Sequence, residues 1–187
     1  MDKNAQRAEI RFRLKNLPME YCRMADEAIC HKILKLKEYR EAPIIFCYIS
    51  VNREINISSI IEDAWSSGKR VAVPKCIEKG IMEAMEIHSW QDLVLGRYQI
   101  PEPKVSCRSV MPDEIAFGII PCISCDLKGN RLGHGGGYYD RYLSNTAFVT
   151  AAVCREQLLL KHVCCEEHDQ PMNLVVTESQ TYNTGNI

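Results

Sequence analysis

Residues 129–141 combine glycine, aromatic, acidic and basic side chains in an order that suits phosphate chemistry. Five of these thirteen residues are glycines, and the last glycine is followed by two tyrosines, an acid and a base. Glycine lets the backbone approach a ligand closely and adopt positive φ. A glycine-rich loop that opens a helix directs amide N–H groups at an anion, and the helix dipole adds to the attraction. With Arg131 and Arg141 as cations and Asp140 as an oxygen ligand for Mg²⁺, the segment predicts a site for a nucleoside triphosphate and its metal.

Two familiar phosphate-binding motifs do not describe this segment. The sequence contains no Gly-x4-Gly-Lys-Ser/Thr run, and the spacing of Gly133, Gly135 and Gly137 differs from the dinucleotide-binding fingerprint. The nearest predicted strand also ends well before the loop. A flexible surface turn is the alternative, although a simple linker would not end in two tyrosines, an aspartate and an arginine.

Alternating helices and strands must hold this loop in place. Helical periodicity predicts helices over 4–17, 19–38, 57–65, 138–143 and 156–161. Apolar and alternating runs predict strands over 43–49, 70–74, 81–87, 115–121, 148–154 and 174–177. This alternation is typical of an α/β layered fold with a mostly parallel central sheet flanked by helices, and the length favours a single domain over 1–187. Because ligands bind at the carboxyl ends of such strands, strand 115–121 is expected to lead into the glycine loop.

The glycine segment also carries a family resemblance. Asn130-Arg131-Leu132-Gly133-x-Gly135-x-Gly137-Tyr138-Tyr139-Asp140 resembles the signature of the 5-formyltetrahydrofolate cyclo-ligase (methenyltetrahydrofolate synthetase) family. Weaker matches occur in the family's order at 7–11, 48–55, 68–75, 98–103 and 167–169. The resemblance implies ATP-driven closure of 5-formyltetrahydrofolate, with or without a polyglutamate tail, to 5,10-methenyltetrahydrofolate, with release of ADP and phosphate. The chain departs from the family at 121–126 and at Ile57, which affects the expected folate pocket rather than the phosphate-binding groups.

The resemblance further implies roles for individual residues. The ATP-binding residues would be Arg7, Arg11, Arg131, Leu132, Gly133, His134, Gly135, Gly136, Gly137, Tyr138 and Tyr139. The folate-binding residues would be Ile49, Glu54, His134, Gly135, Gly136, Gly137 and Tyr138. Arg131 and Tyr139 would act in catalysis, and Asp140 and Asp169 would hold Mg²⁺.

Residue chemistry alone leaves other interpretations open for several of these positions. Arg7 and Arg11 lie one turn apart and share a helical face, which suits either a triphosphate or solvent. Asp140 could cap a helix instead of binding metal, and Glu54 and Asp169 could be exposed loop acids. Three further side chains could line a pocket but are more typical of core: Met85, Trp90 and Tyr98.

Composition limits the partners that we expect. The formal net charge of -1 gives no general attraction to nucleic acid or membrane. No apolar signal region and no run long enough to span a bilayer is visible in the sequence. We therefore expect a cytoplasmic monomer that acts on small molecules, with no nucleic-acid or membrane partner.

The ten cysteines suggest a different class of function. Cys122 and Cys125, together with Cys164, Cys165, His162 and His168, could form a zinc site, which would make the chain a metal- or redox-responsive protein. Small buried apolar thiols are the simpler interpretation. A third hypothesis is a nucleotide- or folate-binding domain of the same fold without catalytic activity.

Overall fold

The computed structural model describes residues 2–96 and 100–185, and it contains the helices and strands expected of an α/β protein. The helices are α1 (Lys3–Asn16), α2 (Met19–Lys35), α3 (Lys37–Glu41), α4 (Ser58–Ser66) and α5 (Tyr138–Leu143). The first six strands are β1 (Ile44–Phe46), β2 (Arg70–Glu78), β3 (Ile81–Ile87), β4 (Leu93–Leu95), β5 (Pro101–Pro103) and β6 (Ser109–Val110). The other six are β7 (Phe117–Ile120), β8 (Ser124–Cys125), β9 (Arg131–Leu132), β10 (Val149–Val153), β11 (Leu174–Val176) and β12 (Thr181–Asn183).

An eight-stranded sheet in the order β12-β11-β10-β7-β1-β2-β3-β6 forms the centre of the fold. The five strands from β11 to β2 run parallel, and the outer pairings with β12, β3 and β6 are antiparallel. The predicted mostly parallel sheet is confirmed. Its central strands are continuous apolar runs because both faces are covered.

Alternate residues of β1 show how the sheet divides two apolar cores. Ile45 packs with α2 and α4 on one face, whereas Ile44 and Phe46 pack with α1 and α5 on the other. The Phe46 ring stacks on Tyr142 of α5 at a centroid distance of 5.2 Å. The helix that follows the glycine loop is thereby fixed to the central strand.

Several predicted elements have different limits in the structure. Helix α2 ends at Lys35 because Leu36 is extended, and the short α3 follows it as a separate helix. The predicted helix over 156–161 is wrong: a single 3₁₀ turn, Glu156–Leu158, ends where Leu159 becomes extended. Within the irregular stretch 89–112, β4 and β5 form a small antiparallel pair and β6 adds to the edge of the main sheet.

The path into the glycine loop also differs from the prediction. A two-stranded hairpin of β8 and β9 lies between β7 and the loop, with Cys125 opposite Arg131. Strand β9 ends at Leu132, so a strand directly precedes Gly133 after all. The Asp126 carboxylate closes this hairpin by accepting hydrogen bonds from the amides of Lys128 and Asn130. No helix within 2–96 and 100–185 has the length and apolar character needed to cross a bilayer.

Candidate functional site

A cavity of about 510 Å³ lies at the carboxyl ends of β1 and β7, where Ile49 and Pro121 follow the two strands. This is the position at which parallel sheets bind ligands. The cavity brings together all but one of the residues to which the family resemblance assigns a role in ligand binding, metal binding or catalysis. These residues are Arg7, Ile49, Glu54, Arg131, Leu132, Gly133, His134, Gly135, Gly136, Gly137, Tyr138, Tyr139, Asp140 and Asp169. Arg11 is the exception, because it is exposed on α1 and is not part of the lining.

The glycine loop forms one wall of the cavity in a conformation that requires glycine. Gly135 has φ 103° and Gly137 has φ 67°, both in the left-handed region. A Cβ atom on Gly137 would lie 2.8 Å from a guanidinium nitrogen of Arg141. Gly137 also occupies the N-cap position of α5, so Asp140 is not the cap of this helix.

Arg141 supports the loop from outside the cavity. Its guanidinium donates to the carbonyl oxygen of Gly80 at 2.7 Å and also to that of Gly136. Arg141 is not part of the cavity lining. The positive charge that the sequence suggested for phosphate binding here therefore serves to hold the loop against the β2–β3 turn.

Arg131 lies at the centre of the site. Its side chain is 4% exposed, and Nη2 donates to Oδ1 of Asp140 at 2.6 Å. Its guanidinium carbon lies 5.6 Å from the centroid of the Tyr139 ring. The buried Nε of Arg131 and the buried hydroxyl of Tyr138 have no hydrogen-bond partner among the described residues. Unpaired buried donors are costly, and beside a cavity they suit the oxygen atoms of an anionic ligand.

Burial also favours the protonated form of the Tyr139 phenol. Desolvation, with a further contribution from the negative charge of Glu54, raises the pKa of Tyr139 well above its ordinary value. The phenol therefore keeps its proton at neutral pH and is available as a hydrogen-bond donor.

Helix α1 contributes two cations to the cavity, and one of them was missed in the sequence. Arg7 donates through Nε to the carbonyl oxygen of Gly133 at 2.9 Å. Lys3, one turn earlier on the same helical face, donates to both carboxylate oxygens of Asp169 at 2.7 and 2.6 Å. The spacing of Lys3 and Arg7 equals that of Arg7 and Arg11, so the pattern existed in the sequence but did not show which pair lines the cavity.

The carboxylates of Asp140 and Asp169 both line the cavity. The amide of Gln170, next to Asp169 in the chain, donates to Oδ1 of Asp140 at 3.4 Å. Hydrogen bonds from Lys3 and the Glu166 amide outweigh the effect of burial and hold the pKa of Asp169 below its usual value. Two carboxylates that line a cavity together with cations fit a Mg²⁺ ion bound together with phosphate oxygens.

Glu54 lies beside the glycine loop in the cavity. Its Oε2 accepts from the Val51 amide at 3.0 Å, and its Oε1 lies 3.4 Å from Nε2 of His134. Asn52, at φ 53°, gives this turn a left-handed residue. Glu54 is therefore held by its own loop and is not a freely solvated acid.

A buried ion pair is hydrogen-bonded to the backbone of the Glu54 loop. Arg155, which follows β10, binds Asp26 of α2 through two hydrogen bonds of 2.8 and 2.9 Å. The same guanidinium donates to the carbonyl oxygens of Arg53 at 3.0 Å and Glu54 at 3.4 Å. Neither Asp26 nor Arg155 was singled out in the sequence, because their contact depends on how α2 packs beside β10.

Two of the remaining candidates have core roles. Trp90 packs edge-on against Trp65 at a centroid distance of 5.1 Å, and Met85 is buried in β3. Neither of them lines the cavity, and Tyr98 lies outside the described residues. The ten cysteines are free thiols. The proposed zinc set is wrong as a cluster, because Cys122 and Cys125 gather with Cys154 rather than with Cys164 or Cys165.

Comparisons with known proteins identify the family of this chain. Residues 1–178 match the sequence profile of the 5-formyltetrahydrofolate cyclo-ligase family. A probable 5-formyltetrahydrofolate cyclo-ligase of Schizosaccharomyces pombe is 28% identical over 194 residues, covering 95% of each chain. The 5-formyltetrahydrofolate cyclo-ligase of Escherichia coli is 33% identical over 147 residues, covering 75% of this chain and 81% of that one.

The fold also resembles that of a solved structure. A 5,10-methenyltetrahydrofolate synthetase of Aquifex aeolicus superposes with a TM-score of 0.87 at 25% identity, covering 100% of this chain and 95% of that one. The profile match extends over nearly the whole chain and includes every residue that lines the cavity. The chain therefore belongs to the 5-formyltetrahydrofolate cyclo-ligase family of enzymes.

Proposed function

We propose that this protein uses ATP and Mg²⁺ to close 5-formyltetrahydrofolate to 5,10-methenyltetrahydrofolate, with release of ADP and phosphate. The observation that carries the proposal is the single cavity in which the glycine loop, Arg131, Asp140 and Glu54 face one another. Family membership supports the reaction class, and the residues in the cavity suggest how the two substrates would be arranged.

The triphosphate would lie against the glycine loop and the first turns of α1. Lys3 and Arg7 line this part of the cavity, whereas Arg11 is exposed outside it. We therefore assign the two cations of α1 to Lys3 and Arg7. Arg131, with an unpaired Nε, would supply a third cation to the phosphate that is transferred.

The folate would occupy the wall formed by Ile49, Glu54 and His134. A carboxylate held by a backbone amide can accept hydrogen bonds from the amide-like N–H edge of a pterin ring. Glu54 is held in this way by the Val51 amide. The loop residues 134–138 line the same space and would contact both substrates.

The chemistry required is activation of a poor electrophile. The formamide oxygen of the substrate is a poor leaving group, and its phosphorylation by ATP gives an imidate phosphate. N10 of the same folate then attacks the activated carbon, phosphate leaves, and N10 loses its proton. Because nucleophile and electrophile belong to one molecule, the second step gains from proximity.

The protein contributes charge stabilisation and orientation. Arg131 would offset the negative charge that develops on the transferred phosphoryl group, while its bond to Asp140 fixes the guanidinium. Tyr139 keeps its proton because of burial and would donate a hydrogen bond. Mg²⁺, held by Asp140 and Asp169, would neutralise phosphate charge.

The test is absorbance at the methenyl-folate band after mixing protein, 5-formyltetrahydrofolate, ATP and Mg²⁺. A rise that requires both ATP and Mg²⁺ is expected. Asp140→Asn keeps an acceptor for Arg131 but removes a charged metal ligand, and turnover should fall by roughly a hundredfold or more. Asp113→Asn, in an exposed turn outside the cavity, is the matched control. No rise in the wild type despite ATP binding would contradict the proposal and favour a non-catalytic nucleotide- or folate-binding domain.

A further inference from the structure

Three thiols that the proposed reaction does not use meet at the carboxyl ends of β7 and β10. The Sγ atoms of Cys122, Cys125 and Cys154 all lie within 4.8 Å of one another. Cys125 and Cys154 are 0% and 2% exposed, whereas Cys122 is half-buried. Cys122 is thus the most exposed residue of the cluster.

The strand register favours one pair within this cluster. β7 and β10 are parallel neighbours with Ile120 opposite Ala152, and the same register carried two residues further sets Cys122 opposite Cys154. Neighbouring strands lie about 4.8 Å apart, which is inside the Cα separation of roughly 4.4–6.8 Å that a disulfide accepts. Cys125 is less free to move, because its backbone pairs with Arg131 in the β8–β9 hairpin.

The surroundings of Cys122 also favour a reactive thiolate. Hydrogen bonds from Cys125 and Cys154, together with the positive charge of Arg131, outweigh the effect of burial and lower the pKa of the Cys122 thiol. The bond to Cys122 and burial raise the pKa of Cys154, which therefore stays protonated. A cysteine of low pKa that lines a cavity beside a second thiol is the arrangement typical of redox-sensitive sites.

A separate cavity gives a reagent access to this pair. It has a volume of about 290 Å³ and is lined by Cys122, Cys154, Glu54 and His134, among others. Glu54 and His134 also line the larger cavity of the proposed active site, so the two spaces adjoin.

We propose that Cys122 and Cys154 form a reversible disulfide by exchange with a small disulfide of the glutathione type. The Cys122 thiolate attacks one sulfur of the reagent, forms a mixed disulfide and releases one small thiolate, which takes up a proton. The Cys154 thiol then gives up its proton to solvent, and its sulfur attacks that of Cys122 and expels the second small thiolate. Two protein thiols are oxidised, and one molecule of reagent is reduced to two thiols.

The experiment treats the folded wild-type protein with glutathione disulfide, stops the exchange with acid and maps the linked peptides by mass spectrometry. We expect a Cys122–Cys154 link that dithiothreitol reverses. The Cys154→Ser variant should accumulate the glutathione adduct on Cys122, because the second step is blocked. Cys107→Ser is the matched control: Cys107 is also half-buried but belongs to no thiol cluster among the described residues, and its loss should not change the link.

Three results would overturn the proposal. The first is reaction of Cys122 no faster than that of Cys107 in the wild type. The second is a link that joins Cys122 to a cysteine other than Cys154. The third is tight stoichiometric zinc that prevents the exchange, which would assign the three thiols to a metal site. The wild-type measurement needs no substitution, so poor folding of Cys154→Ser would not obscure the result.

Discussion

Replacement of Arg155 by methionine is expected to lower the free energy of unfolding by roughly 3–5 kcal/mol, the usual cost of leaving a buried charge without its partner. The Arg155 side chain is 4% exposed and that of Asp26 is 12% exposed. Methionine preserves much of the apolar stem of Arg155. It leaves the Asp26 carboxylate with the Asn56 amide as its remaining hydrogen-bond donor among the described residues.

Urea denaturation measures this loss directly. For a slope of roughly 1–3 kcal/mol per M, the midpoint should fall by about 2 M. Arg13→Met is the control: Arg13 pairs with Glu9 on α1, but the two side chains are 42% and 34% exposed. Such a pair contributes less than about 1 kcal/mol. A loss for Arg155→Met no larger than that of the control would refute the argument.

A double variant distinguishes the effect of the unpaired Asp26 charge from that of lost packing around residue 155. In Asp26→Leu/Arg155→Met neither charge remains buried alone, so much of the lost stability should return. Additive losses would show that the buried charge is not the cause. Because Arg155 also donates to the carbonyl oxygens of Arg53 and Glu54, we expect Arg155→Met to raise KM for the folate more than it lowers kcat.

Further predictions concern Lys3, Glu54 and Asp169, which line the cavity. Lys3→Met should raise KM for ATP roughly tenfold through loss of a charge-assisted contact, whereas Arg11→Met should leave it unchanged; equal effects in steady-state kinetics would contradict the assignment on α1. Glu54→Gln should raise KM for the folate by about tenfold, whereas the control Glu62→Gln on the exposed face of α4 should leave it unchanged. Unaltered folate kinetics in Glu54→Gln would place the pterin elsewhere. The lowered pKa of Asp169 stabilises the folded state at neutral pH, and this contribution is lost as the pH falls through the folded-state pKa. The difference in unfolding free energy between wild type and Asp169→Asn should therefore shrink below about pH 4, and a difference that grows in acid would contradict the ion pair with Lys3.

Local patterns in the sequence were sufficient to predict much of the fold. Helix α5 and strand β3 have the predicted limits, Tyr138–Leu143 and Ile81–Ile87, because hydrophobic period and glycine position are properties of adjacent residues. The buried apolar runs correctly predicted a mostly parallel sheet. The composition of the glycine loop predicts an anion site, and in the structure this loop lines the large cavity.

Contacts between distant segments were decided only by the tertiary structure. Lys3 meets Asp169 across 166 positions, and Arg155 meets Asp26 across 129. Cys122 and Cys154 meet because β7 and β10 are neighbours, and Lys3 rather than Arg11 faces the cavity because of the rotation of α1. Strand order and helix rotation are set by packing over the whole core, so the sequence determined which groups were available, and packing determined which of them meet.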